Sequence, residues 1–158
     1  MKKKILIVCE AFGGGVFAYV SQLCNDMCDD FDVYMAYALR PQTPKNYKDA
    51  MDPRVHMIEV KNFGGSILNP LQDLKVIAEL RKIQKEIQPD VIHLHNLHNC
   101  YINLPLLFRY IKKNKIPVVW TLHDCWAFTG QCTHYQAPHC EQWQTECKKC
   151  VRTRDYPK

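Results

Sequence analysis

Short apolar runs without regular polar alternation recur along this chain, and they constrain its fold more than any other feature. KILIVC (4–9), DVYMAY (32–37), DVIHLH (90–95) and PVVWTL (117–122) are short and rich in β-branched or aromatic residues. Such runs read as strands buried on both faces, the signature of a parallel sheet. VHMIEV (55–60) alternates and predicts a weaker strand. Between the runs the period changes. Val16, Val20, Leu23, Cys24 and Met27 recur at helical spacing within 16–28. Leu71, Leu74, Ile77, Leu80, Ile83 and Ile87 do so within 70–87, opened by Pro70, which suits a first helical turn. A third helix is predicted over 100–114, with Pro105 in its first turns or kinking it. Residues 38–54, with Pro41, Pro44 and Pro53, read as loop. Strands alternating with helices predict an α/β fold: an open, mostly parallel sheet with helices on both faces and right-handed crossovers.

The totals set bounds. At 158 residues one domain is the expectation. A chain of this size buries roughly 70% of its unfolded surface, enough for a real core. The net charge of +5 is modest. It comes in part from Lys2, Lys3 and Lys4 and in part from RYIKKNK (109–115), and it reads as a solvated face, not a nucleic-acid patch. No segment approaches the ~18 apolar residues of a membrane span. The opening MKKKILIVCEAF imitates an export signal, but its apolar run meets Glu10 too early. A cytoplasmic location follows as the expectation, with thiols reduced. The nine cysteines are then packing residues or metal ligands, not a disulfide framework.

Three groups of residues could carry chemistry. The first lies at the fifth strand, where PVVWTL ends abruptly in His123 and Asp124. Titratable residues directly after a buried run should stand at the carboxyl edge of the sheet, where ligands bind in open α/β folds. The second is Glu10-Ala-Phe-Gly13-Gly14-Gly15, between the first strand and its helix. Glycines let the backbone approach a ligand, and the helix start offers N–H groups to phosphate. The spacing is not GxGxxG, so no dinucleotide fingerprint is met, and a tight turn without ligand is the competing reading. The third is His93-Leu-His95-Asn-Leu-His98. Alternation puts His93 and His95 on one face, as in the HxHxDH motif of metal-dependent hydrolases. Here Leu97 replaces the aspartate of that motif, which argues for a satisfied strand-end histidine at 93 and a rim residue at 95.

From His123 onward the periodicity disappears. Residues 123–158 form an irregular Cys-rich loop appended to the α/β domain. Cys132-x7-Cys140-x6-Cys147-x2-Cys150 closes in a C-x2-C knuckle, CKKC. Four thiolates suit tetrahedral zinc, whose binding can supply folding energy that such a segment lacks. His134 and His139 are substitute ligands, Cys125 belongs to the HDCW turn, and a cluster of free thiols is the plain alternative.

GGGVFAY after the first strand, PDVIHLHN at the fourth and TLHDCWAFTGQC…CEQW…CKKC at the end together resemble the N-terminal domain of family 4 glycosyltransferases of the bacterial capsular, exopolysaccharide and colanic-acid type. The resemblance covers essentially the whole chain, and the HDCWAFTG block with its trailing cysteines is its most specific part. It implies a GT-B architecture of two Rossmann-like domains, with acceptor on the N-terminal one and nucleotide-sugar donor (a UDP- or GDP-sugar) on the other. It implies retention of configuration, no catalytic metal, and a glycan or lipid-linked acceptor in cell-surface polysaccharide synthesis, which would bring the protein to the inner membrane face. By the same resemblance Gly13, Gly14 and Gly15 approach the donor phosphates and His123 contacts the transferred sugar. Asp124 orients His123 or lines the acceptor site, with Glu10 and His95 as weaker acceptor-side candidates. A member of this family runs to roughly twice this length, given ~100–200 residues per domain. The expectation is therefore a truncated acceptor-side half, inactive without its donor domain. Two other classes compete: a zinc-stabilised nucleic-acid or protein binding module, and a metal-dependent hydrolase using His93, His95 and His98.

Overall fold

The computed structural model describes residues 1–63, 70–98, 102–129, 132–147 and 150. Part of the KNFGGS turn, the first two residues of the helix expected from 100, and the tail after Cys150 lie outside them. Two compact units divide after Thr121.

In the first unit the described strands are β1 (Lys3–Cys9), β2 (Phe31–Tyr37), β3 (His56–Glu59), β4 (Val91–His95) and β5 (Val118–Thr121). They form one sheet in the order β3-β2-β1-β4-β5. Every neighbouring pair is parallel. The helices are α1 (Gly14–Met27), α2 (Pro70–Ile87) and α3 (Leu104–Lys113). The order places a switch point between β1 and β4: the chain winds outward one way through β2 and β3, then returns to continue on the other side through β4 and β5.

Alternation along each strand sorts the core into two layers. Leu6, Val8, Ile92 and Leu94 point to one face, where Val76, Ile77, Leu80 and Ile83 of α2 and Leu107 and Ile111 of α3 cover them. Ile5, Ile7 and Cys9 point to the other, under Val20 and Cys24 of α1. Helices therefore lie on both faces, as the runs predict. Fully burying one such aliphatic side chain is worth about 1.5–3 kcal/mol, so truncating Leu6 or Leu94 to alanine would cost roughly 2–5 kcal/mol.

Helix boundaries follow local chemistry. The third helix starts at Leu104, later than its period suggests, because the Asn103 side chain accepts the Leu106 N–H at 3.0 Å and caps it. Pro105 sits in the first turn, where no N–H is missed. α1 begins at Gly14, two residues before its first apolar contact, since glycines leave no trace in a hydrophobic pattern. The proline-rich loop after β2 holds one 3-10 turn, Tyr47–Ala50.

The second unit has a single-turn helix, α4 (Trp126–Thr129), and a 3-10 turn, Gln142–Gln144. Phe128, Tyr135 and Trp143 pack as an aromatic trio, with Tyr135 and Trp143 centroids 4.7 Å apart. Thr129 is its only buried residue among those described.

Candidate active site at the sheet switch point

Cys9 of β1 stands in register with His95 of β4, so the loops that leave these two strands share the carboxyl side of the switch point. Ligands of open α/β sheets bind in that crevice. Two of the expected groups, the glycine loop with Glu10 and the His93–His95 pair, are brought together here.

The glycine loop is held from one side. Glu10 is 4% exposed and forms an ion pair with Arg40, which follows β2. Thr43 donates its hydroxyl to the Phe12 carbonyl and accepts the Arg40 N–H at 2.9 Å. A Cβ placed on Gly13 would stand 2.6 Å from Gln42 Cγ. Residues 40–43 thus occupy the flank of Gly13. Gly14 and Gly15 face open space instead, and Gly14 has φ +53°, a conformation that favours glycine. Of the three glycines, Gly14 and Gly15 are the pair a ligand can approach closely, at the start of a helix whose first N–H groups lack intrahelical partners.

On β4 the two histidines share a face, as alternation requires. Their rings lie 4.1 Å apart, and Tyr19 of α1 lies 6.0 Å from His95. His93 Nε2 is 2.8 Å from Thr121 Oγ1 on β5. His95 is fully buried and His98 is 3% exposed. His95, expected near the rim, therefore lies beneath it. Among the described residues no three His, Cys, Asp or Glu side chains are placed to hold a metal ion. The metal-hydrolase arrangement of His93, His95 and His98 is thus not formed.

His123 and Asp124 open the second unit, two and three residues after β5 ends at Thr121. Both are half-buried. Burial pulls the His123 pKa below the ordinary histidine value, and the Asp124 charge partly opposes that pull. The imidazole is consequently biased to its neutral form. Asp124 Oδ1 accepts the Trp126 N–H at 2.9 Å, so this carboxylate also starts α4.

Cys132, Cys140 and Cys147 are free thiols, as are Cys125 and the core cysteines Cys9, Cys24 and Cys28. Burial is the main cause that raises the Cys9 and Cys24 pKa values, the latter to about 12, so these are inert packing groups.

Arg40 and Asn96 are the residues that pattern reading passes over. Asn96 follows β4 directly in a left-handed conformation, φ 50°. An Asn after an apolar run is a recognisable signal for that geometry. Arg40 has no such signal, because its partner lies thirty positions back in the chain.

The family model for Glycosyltransferase Family 4 matches residues 13–151. The chain belongs to that family. Over 82 residues it is 39% identical to a colanic acid biosynthesis glycosyl transferase, WcaC, of Escherichia coli (strain K12). That alignment covers 49% of this chain and 20% of the relative, so the chain spans a minor part of that protein's length. Among solved structures, a dTDP-glucose 4,6-dehydratase from Bacillus anthracis superimposes with a TM-score of 0.50, covering 82% of this chain and 40% of that one. At 13% identity this likeness concerns the fold alone, which is Rossmann-like. No described helix is long and apolar enough to cross a membrane.

Proposed function

We propose that this family 4 chain is the acceptor-side part of a GT-B glycosyltransferase. It would act in cell-surface polysaccharide synthesis, moving a sugar from a UDP- or GDP-sugar to a glycan or lipid-linked acceptor with retention of configuration. The observation that carries this reading is the family match across 13–151, which contains both the open glycines and His123.

The chemistry is consistent with the residues present. Negative charge develops on the departing diphosphate, and backbone N–H groups at the start of α1, reached past Gly14 and Gly15, would stabilise it. A neutral His123 would hydrogen-bond a hydroxyl of the transferred sugar and hold it in attack geometry. Asp124, whose carboxylate accepts the Trp126 N–H, would orient the turn that carries His123. Glu10 and His95, both buried, shape the crevice from below. In the second unit the Tyr135 and Trp143 rings line a surface hollow rimmed by Gln136, Glu141 and Gln144. Aromatic faces beside amide and carboxylate groups are what a pyranose of the acceptor needs.

The test is transfer of labelled sugar by the full-length gene product, with product configuration read by NMR. His123→Ala should lower turnover by about two orders of magnitude, the usual worth of one transition-state contact. His56→Ala, an exposed change on the edge strand β3, should leave it within about twofold. Equal losses would remove His123 from the site, and an inverted product would transfer its role to general base.

A further inference from the structure

The described residues of the second unit have little regular structure and little core. Among them the one α-helix is a single turn, and Thr129 is the only buried residue. Yet the described residues between 125 and 147 are tied to one another. Cys125 N–H reaches the Thr133 carbonyl at 2.9 Å, and Cys140 N–H reaches the Tyr135 carbonyl at 3.1 Å. Thr129 is the meeting point. Its hydroxyl donates to the Cys132 carbonyl at 2.6 Å, and its own carbonyl accepts the Cys147 thiol at 3.1 Å. Cys132 and Cys147, fifteen positions apart, are thereby brought to the same residue.

We propose that Cys132, Cys140, Cys147 and Cys150 form a structural zinc site that closes when the metal binds. The Thr129 contacts bring Cys132 and Cys147 near one another, and the two-residue spacing of CKKC keeps Cys150 within a knuckle's reach of Cys147. No three ligand-type side chains among the described residues stand around a common ion, so the four sulfurs must converge as the metal binds. Zinc would draw the sulfurs to ~2.3 Å bonds, each thiol losing its proton to solvent as its Zn–S bond forms. The resulting tetrathiolate carries a net negative charge, and Lys148 and Lys149 between the last two ligands supply opposite charge in the sequence. Cys125 stands apart, with Sγ 4.0 Å from Gln136 Oε1, and takes no part. The proposal is independent of the transferase reading, because the site orders the second unit whatever the first one does.

The experiment uses the purified 158-residue chain, reduced, stripped with EDTA and titrated with Co2+ and then Zn2+. The expected result is one cobalt per chain with the absorption of tetrahedral thiolate ligation, displaced by one equivalent of zinc. Bound zinc should also protect residues 125–147 from protease. Cys132→Ser and Cys147→Ser should each weaken binding by ~100-fold or more, beyond what loss of an outer-shell group costs. Cys125→Ser should leave the spectrum unchanged. Octahedral or absent cobalt absorption would overturn the site. So would disulfides among these cysteines in protein purified without reductant, or an equal effect of Cys125→Ser.

Discussion

The Glu10 carboxylate is sealed against the Arg40 guanidinium, so a buried charge pair joins the end of β1 to the segment after β2. Arg40 is partly exposed and Glu10 is not, which makes the two substitutions unequal. Arg40→Ala would leave a buried carboxylate without its counter-charge and should destabilise the fold by roughly 3 kcal/mol in urea melts. Glu10→Gln leaves a guanidinium that water can still reach and should cost less. If the pair is what matters, the double variant Glu10→Gln/Arg40→Ala is more stable than Arg40→Ala alone. Additive losses would show that each residue acts separately.

His123 should titrate below the ordinary histidine range, because burial disfavours its charged form more than Asp124 favours it. The sign of the linkage follows. The unfolded chain protonates near ~6.5, while the folded imidazole resists. Its contribution to stability is therefore complete above that pH and is lost as pH falls toward the folded value. Asp124→Asn removes the opposing charge and should move the NMR titration midpoint of His123 lower still. A midpoint at or above that of a free histidine would contradict the burial argument.

The layers of the fold were legible because every strand but β3 is a compact apolar run and α2 repeats its apolar positions for five turns. The strand order was not, since nothing in Val91–His95 says that it pairs with β1 and not with β3. Parallel pairing is set by crossover and packing, which act over distance. The candidate residues divided in the same way. Gly13–Gly15 and His123 carry local signals, a glycine cluster and a polar break after an apolar run. Arg40 stands in a proline-rich loop, and only the folded chain brings it to Glu10. The described residues beyond His123 carry no period because aromatic and hydrogen-bond contacts of irregular spacing, more than regular elements, tie them together.

Asn103 offers a local check on α3. Its side chain satisfies the Leu106 N–H, one of the donors a helix start leaves without an intrahelical partner. Asn103→Ala should cost about 1 kcal/mol in thermal or urea unfolding, and Asn103→Asp should retain most of the stability. A loss of equal size in both variants would mean that the cap contributes little and the side chain packs in some other way.

The glycines should separate by mechanism when each is changed to alanine. At Gly13 the new Cβ meets Gln42 Cγ at 2.6 Å and its carbonyl carbon at 3.1 Å, so the clamp of residues 40–43 must shift and stability falls. At Gly14 there is space, but φ +53° strains any residue with a Cβ by about 1 kcal/mol. At Gly15 there is neither clash nor strain, and a better helix former in the first turn should hold or raise stability by up to about 1 kcal/mol. Gly15→Ala is accordingly the informative variant: folded as well as the parent, yet carrying a methyl group where the donor diphosphate would approach. In the full-length transferase it should raise the KM for the nucleotide-sugar at least several-fold while the melting curve stays in place. Unchanged KM and turnover in a stable Gly15→Ala protein would mean that the loop is a tight turn and no part of the donor site.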